Sequence, residues 1–318
     1  MVHSMGSMTL SLTIILLCTT PTFTYGLDYS SWRPWRRASS SKRVVPPDGF
    51  YSPLSSGGSM LTDVPDTFPP GQGEPINAIL SGNSDSRVLV DSEENGGLRN
   101  YFLSLGFSGE CLGQHSGSDQ AANLGDGDGF QNETSVIRWN YGDPQLGSCK
   151  ETIEGGNHFR YWVQDGPSGN SGAIFMAVSY ELPLNLGHDI ISNGYNLASS
   201  SAVLRDWLVG NITGSNIPPN ITNATTFSGT TSFANFTYHT DVTYITGLLE
   251  NTNDNINHNI TVGTEFVNAS DGLVAILDVK ITSEPAKSTA WKLSTPQFWQ
   301  LLPLMVILVP SLAPPFSL

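Results

Sequence analysis

Basic residues are scarce in this sequence. Its 318 residues include 14 Lys and Arg against 28 Asp and Glu, a net charge of −14. Between Val44 and Ser288 the imbalance sharpens to eight against 27. A surface this acidic repels phosphate backbones and anionic headgroups, which disfavours nucleic acid as a partner and direct docking to charged lipid. Cysteine is equally sparse, with three in all, and their spacing does not resemble a zinc site. Several catalytic signatures are missing too. No G-x-S-x-G elbow occurs: Gly166-Pro167-Ser168-Gly169 and Gly169-Asn170-Ser171-Gly172 both miss the five-residue frame. Neither a P-loop nor a dinucleotide glycine fingerprint is present. Gly125-Asp126-Gly127-Asp128-Gly129 invites a calcium reading, but counted from Asp126 the fifth and sixth loop positions are Phe130 and Gln131. An EF-hand loop needs an oxygen ligand and a glycine there, so a plain acidic turn is expected. No cofactor and no metal is expected either.

What is present speaks of export. Thr9 to Cys18 is an apolar run of ten residues, too short to span a bilayer and suited to the core of a signal peptide. Small side chains precede Leu27, so residues 1–26 read as a signal peptide, although the n-region carries only the α-amino group and His3. At the other end, Phe298 to Leu318 has no charged residue. A membrane-spanning helix and a glycolipid (GPI) attachment signal compete for it. Pro303, Pro310, Pro314 and Pro315 weaken the helix. Small residues Ser288, Thr289 and Ala290, followed by a short spacer, fit the GPI signal, with attachment expected at Ser288 and residues 284–318 as the signal. The membrane is then a partner through the lipid anchor, on the outer face of the plasma membrane or the cell wall. Seven N-x-S/T sequons, at Asn132, Asn211, Asn220, Asn223, Asn235, Asn259 and Asn268, agree with that route. With Cys18 removed, Cys111 and Cys149 remain, and in an oxidising compartment they are expected to pair.

Residues 27–73 read as a leader, first basic and then rich in Pro, Gly and Ser. Its dibasic pairs Arg36-Arg37 and Lys42-Arg43 allow processing or retention. From Val44 it is expected to lie on the domain as an irregular arm, with Tyr51, Leu54, Met60 and Leu61 as packing points.

The folded part is expected over residues 74–283: a core to 209 and a β-rich glycosylated extension over 210–283, either a second small sheet or a continuation of the first. Strands are expected at Ile76–Leu80, Val136–Asn140, His158–Gln164, Ala173–Glu181, around Phe236–Tyr244, at Ile260–Val262 and at Leu273–Ile281, from apolar alternation bounded by turn residues. Helices are expected at Leu98–Leu105, stopped by Gly106, and at Val203–Ile212. The fold class is therefore α+β or α/β, a mixed sheet with a few flanking helices.

One polar set stands out. Strand alternation puts His158, Arg160 and Trp162 on one face and Phe159, Tyr161 and Val163 on the other. Glu181 ends a later strand, His188-Asp189 follows on a loop, and Arg205-Asp206 opens a helix. If they converge, His158, Arg160, His188, Asp189, Arg205 and Asp206 could do acid–base work or hold a metal. If they do not, the arginines and carboxylates pair as structural clamps.

The order of motifs resembles the LssY C-terminal type of domain. It comprises Pro75-x-Asn77 at a first strand, Leu105-Gly106-Phe107, the His158-Phe159-Arg160-Tyr161-Trp162 strand, Ser179-Tyr180-Glu181, His188-Asp189 and Arg205-Asp206. The likeness covers Pro75 to Val209, and the whole architecture also resembles a group of secreted glycoproteins of mushroom-forming fungi. Neither resemblance implies an activity. The expectation is a secreted surface or cell-wall glycoprotein that binds or shields without catalysis, with a cell-wall glycan or small ligand as partner. The alternative is an extracellular hydrolase with a cleft around His158 and His188.

Overall fold

The computed structural model describes residues 42–286, except 116–118, 197–204, 219 and 266. The expected signal peptide, the dibasic pair Arg36-Arg37, Ser288 and the C-terminal tail lie outside the described residues. Among those described, no helix is long and apolar enough to cross a membrane.

The strands are β1 (Ala78–Leu80), β2 (Phe107–Gly109), β3 (Ala121–Asn123), β4 (Phe130–Asn132), β5 (Ser135–Trp139), β6 (Gly156–Val163), β7 (Ile174–Glu181), β8 (Thr226–Phe233), β9 (Phe236–Ile245), β10 (Asn251–Thr252), β11 (Ser270–Asp271) and β12 (Val274–Ser283). The helices are α1 (Leu98–Ser104), α2 (Gly147–Glu154), α3 (Arg205–Thr213) and the single turn α4 (Asn259–Val262). Eight strands form one mixed sheet in the order β2-β5-β6-β7-β1-β12-β9-β8. Every pairing in it is antiparallel except β1 with β12, where Ala78 lies beside Ala275. This is the mixed α+β class expected.

Past residue 209 only the short β10–β11 pair forms a sheet of its own; the long strands β8, β9 and β12 continue the main sheet. β12 inserts between β1 and β9, so the last strand of the fold pairs with the first, and the two expected portions share one sheet. The three-residue β1 is buried throughout because both of its neighbours and both sheet faces are covered.

Alternation sorts the side chains into two layers. On one face α1 and α3 lay Tyr101, Phe102, Leu208, Val209 and Ile212 over Phe159, Tyr161, Val242, Tyr244 and Leu277. Rings meet edge to face there, with Phe102 and Phe159 centroids 4.9 Å apart and Phe107 and Phe159 5.2 Å apart. On the opposite face the N-terminal arm and the β3–β4 hairpin bring Phe50, Met60, Ala122 and Leu124 against Ile79, Trp162, Phe175, Ala177 and Val274. Met60 is buried as expected of the arm, whereas Leu54 remains exposed.

Two expectations need correction. Ile260–Val262 belongs to a helical turn rather than a strand, with Ile260 exposed and Val262 buried beside Ile190, Tyr195 and Ile256. A second helix, α2, was not expected at all. It has little apolar periodicity and lies between Gly147 and Gly155, but a Cys111–Cys149 disulfide fastens it to the turn after β2.

Candidate functional site

Along β6 the second face changes from apolar to charged. Trp162 belongs to the hydrophobic layer, and Arg160 and His158 follow toward the strand's start. Register sets the rest. Arg138 on β5 pairs with His158, and His158 pairs with Ser179 on β7, so the three residues form a row across three strands. Glu181, two residues beyond Ser179, shares the face. Over this row lies α2, whose Glu151 is wholly buried. Its approach depends on Gly155 and Gly156: a Cβ on Gly155 would sit 2.4 Å from the Glu181 carbonyl oxygen, and one on Gly156 would sit 2.8 Å from Cγ of Glu151.

The result is a cluster of opposed charges. Arg138 Nη1 donates to Glu151 Oε2 at 2.9 Å, and lies 3.6 Å from Glu181 Oε2. Its Nη2 is 3.6 Å from Glu110 Oε1. His158 Nε2 is 3.1 Å from Ser179 Oγ and 3.5 Å from Glu181 Oε1. His188, on the loop after β7, places Nε2 3.2 Å from Glu181 Oε2. Burial dominates the ionisation of all four titrating groups. It pushes Glu181 up to about 8 and Glu151 up to about 7, against the pull of Arg138. It holds His158 well below its ordinary range, helped by Arg138 and Arg160, and lowers His188 as well. Burial also opposes the charge of Arg138, but Glu151 and Glu181 outweigh it and raise that group.

The six residues singled out in the sequence do not form one site. His158 and His188 meet at Glu181. Arg160, on the same face, pairs instead with Glu133, whose other carboxylate oxygen accepts from the Gln120 amide. Asp189 points to His258 and Thr261, and caps its own neighbour Ile190. Arg205 and Asp206 belong to the opposite layer. There the guanidinium binds Asp206 at 2.9 and 3.1 Å, both oxygens of Asp271 at 2.8 Å, and the Leu273 carbonyl at 2.8 Å. Tyr244, a residue of the helix-covered core, donates to Asp206. Arg205 and Asp206 are thus a buried clamp joining α3 to the β11–β12 junction, not part of a cleft with His158.

Arg138, Glu110 and Glu151 were missed. The strand reading at Val136–Asn140 contained the signal for Arg138, but its facing depended on cross-strand register. Glu151 required α2 to be recognised.

Two cavities lie beside or beyond the cluster, the first sharing Glu110 with it. One, of about 530 Å³, is bordered by Asp91, Glu93, Arg99, Phe107, Glu110 and Gln145 among others. The other is a shallow hollow near the β8–β9 hairpin, bordered by Asn235, Thr237 and Glu284. The acidic turn at Asp126 is structural: its carboxylate accepts from the amides of Asp128 and Gly166.

In comparisons with family models, with curated proteins and with solved structures, nothing matches this chain. The likeness to the LssY C-terminal type of domain therefore rests on its motifs alone.

Proposed function

We propose that this chain is the ectodomain of an exported, N-glycosylated, lipid-anchored surface protein that binds or shields without catalysis. The observation that carries the reading is the sealing of its most reactive side chains. His158, Glu151 and Arg138 are 1, 0 and 3 % exposed, so a substrate cannot reach the His158 imidazole, and the more open His188 turns its Nε2 to Glu181. The larger cavity is open but unsuited to hydrolysis. Its described lining includes no histidine and no free cysteine, and Arg99 neutralises Asp91 there. A polar hollow with carboxylates, an amide and the exposed Leu112 side chain suits a neutral hydroxylated ligand such as a cell-wall glycan. The Cys111–Cys149 disulfide fits an oxidising compartment.

Two measurements test this reading. Phosphatidylinositol-specific phospholipase C should release the protein from membranes, and a Ser288 variant should alter anchorage. The released ectodomain should turn over no member of an ester, phosphoester and glycoside panel. Turnover that disappears in His188→Ala would establish the hydrolase instead.

A further inference from the structure

The Glu151–His158–Glu181–His188 cluster gathers carboxylates around one guanidinium and holds buried atoms without hydrogen-bond partners. Glu110, Glu151 and Glu181 surround one guanidinium, that of Arg138. With both imidazoles neutral and all three carboxyls ionised, three carboxylates against one cation would leave a formal deficit of two positive charges, which protons on the carboxyls or a bound cation must fill.

The hydrogen-bond inventory leads to the same place. Glu151 Oε1, Glu181 Oε2 and His188 Nε2 are buried with no hydrogen-bond partner among the described residues, and His158 turns Nε2, which also contacts Ser179 Oγ, toward Glu181. His188 hydrogen-bonds the Thr152 backbone, and because Nε2 is unbonded, that contact is made by Nδ1. The proton therefore sits on Nδ1, and a lone pair on Nε2 faces a carboxylate oxygen 3.2 Å away. Two acceptors do not face each other in a buried site unless something positive lies between them.

We propose that Glu151, His158, Glu181 and His188 form a site for one divalent transition-metal ion of the zinc type. Imidazole nitrogen and carboxylate oxygen are ligands such an ion prefers, and a +2 charge cancels the deficit. The geometry is close to what is needed. Two atoms bound tetrahedrally to zinc at about 2.0–2.1 Å stand about 3.3 Å apart, and His188 and His158 stand 3.2 and 3.5 Å from the two different carboxylate oxygens of Glu181, Oε2 and Oε1. Glu151, His158 and Glu181 offer ligand atoms within 4.8 Å of one another, so closure asks each of these three for a shift of about 1 Å or less. His188 lies outside that group, touches it through Glu181 and must swing further to complete the site. Arg138 occupies only Oε2 of Glu151 and leaves Oε1 free. The Thr152 backbone orients His188 from behind, as outer-shell partners of metal-bound histidines do. Four protein ligands leave no open position, so the ion would fasten α2 to β6 and β7 rather than catalyse. This inference does not depend on the function proposed above.

The full chain, purified from a secreting host without a histidine tag and stripped with a chelator, should take up one zinc ion. Uptake would be read by competition with a chromophoric chelator and by elemental analysis, and zinc should raise the melting temperature. His188→Ala, at the edge of the cluster, should weaken zinc binding at least tenfold, and Glu151→Gln should do the same. His115→Ala, in the exposed His115–Asp119–Glu133 group, should leave it unchanged. If the stripped protein binds no zinc, or if His188→Ala binds as tightly as the unmodified chain, the site does not exist. Displacement of zinc by equimolar calcium would also overturn it.

Discussion

Nε2 of His188 and Oε2 of Glu181 stand 3.2 Å apart, and neither has a hydrogen-bond partner among the described residues. Without a metal, a proton is what separates the two acceptors, and the raised Glu181 holds it.

That arrangement fixes how stability should depend on pH in chelator-treated protein. Unfolded carboxyls ionise near ~4.3 and unfolded imidazoles near ~6.5. Above ~6.5 the folded chain still holds protons on Glu151 and Glu181 that the unfolded chain has released, so stability falls as pH rises through about 7 and about 8. Below ~4.3 the unfolded chain protonates histidines that the fold keeps neutral beside Arg138 and Arg160, so stability falls again. In between, the two effects offset each other. Urea titrations across this range should find the midpoint highest near pH ~5–6. A maximum at pH ~8 would contradict the protonation assigned here.

The disulfide should matter most to α2. Cys111 and Cys149 are 38 residues apart in sequence, and closing a loop of that size stabilises by about 4 kcal/mol in the chain-entropy model. Cys111→Ser with Cys149→Ser should lower stability by up to that amount. Hydrogen exchange should quicken in Gly147–Glu154 before it does in β6 and β7. Uniform quickening would mean that α2 is held by its charged contacts alone.

Arg205 makes five hydrogen bonds while wholly buried, and Asp206 and Asp271 outweigh desolvation to keep its charge. Removing one side of such a network strands the other charges. Arg205→Ala should therefore cost ~3–5 kcal/mol, measured by chemical denaturation. A loss below ~1 kcal/mol, the scale of an exposed pair, would show that the clamp is open to solvent.

How much of this was legible in the sequence depended on whether a signal was local. The hairpin of β6 and β7, the Phe159–Tyr161 and His158–Arg160 faces, and the Leu98–Ser104 helix all followed from periodicity. The insertion of β12 beside β1 did not, because a parallel pairing across nearly two hundred residues leaves no local trace. The site was half legible for the same reason. His158 and His188 sit in recognisable strand and loop positions, but α2 has little amphipathic pattern and owes its place to Cys149 and a Gly155-Gly156 turn. Arg205-Asp206 reads identically whether it lines a cleft or forms a clamp. Only the position of Asp271 and Tyr244 decides between them.

The sequons divide by what their amides already do. Asn220, Asn223 and Asn235 are exposed, as is Asn132, whose amide donates to the surface carboxylate of Asp119. Asn235 occupies the tip of the β8–β9 hairpin with φ 63°, a left-handed turn position that asparagine tolerates well. Asn211, Asn259 and Asn268 are half-buried, and their amides donate to the carbonyls of Leu105, Asn253 and Asn251. A glycan on one of those three must draw the amide toward solvent and weaken a bond that ties separate segments, at a cost of about 1 kcal/mol each. Glycopeptide mapping of the secreted protein should find Asn132, Asn220, Asn223 and Asn235 occupied in most molecules and the other three in a minority. Asn235→Gln should leave the melting temperature nearly unchanged, whereas Asn211→Ala should lower it by removing the tie between α3 and the end of α1. Full occupancy at Asn211 together with an unaltered melting temperature on its removal would show that the amide's contact with Leu105 contributes nothing to the fold.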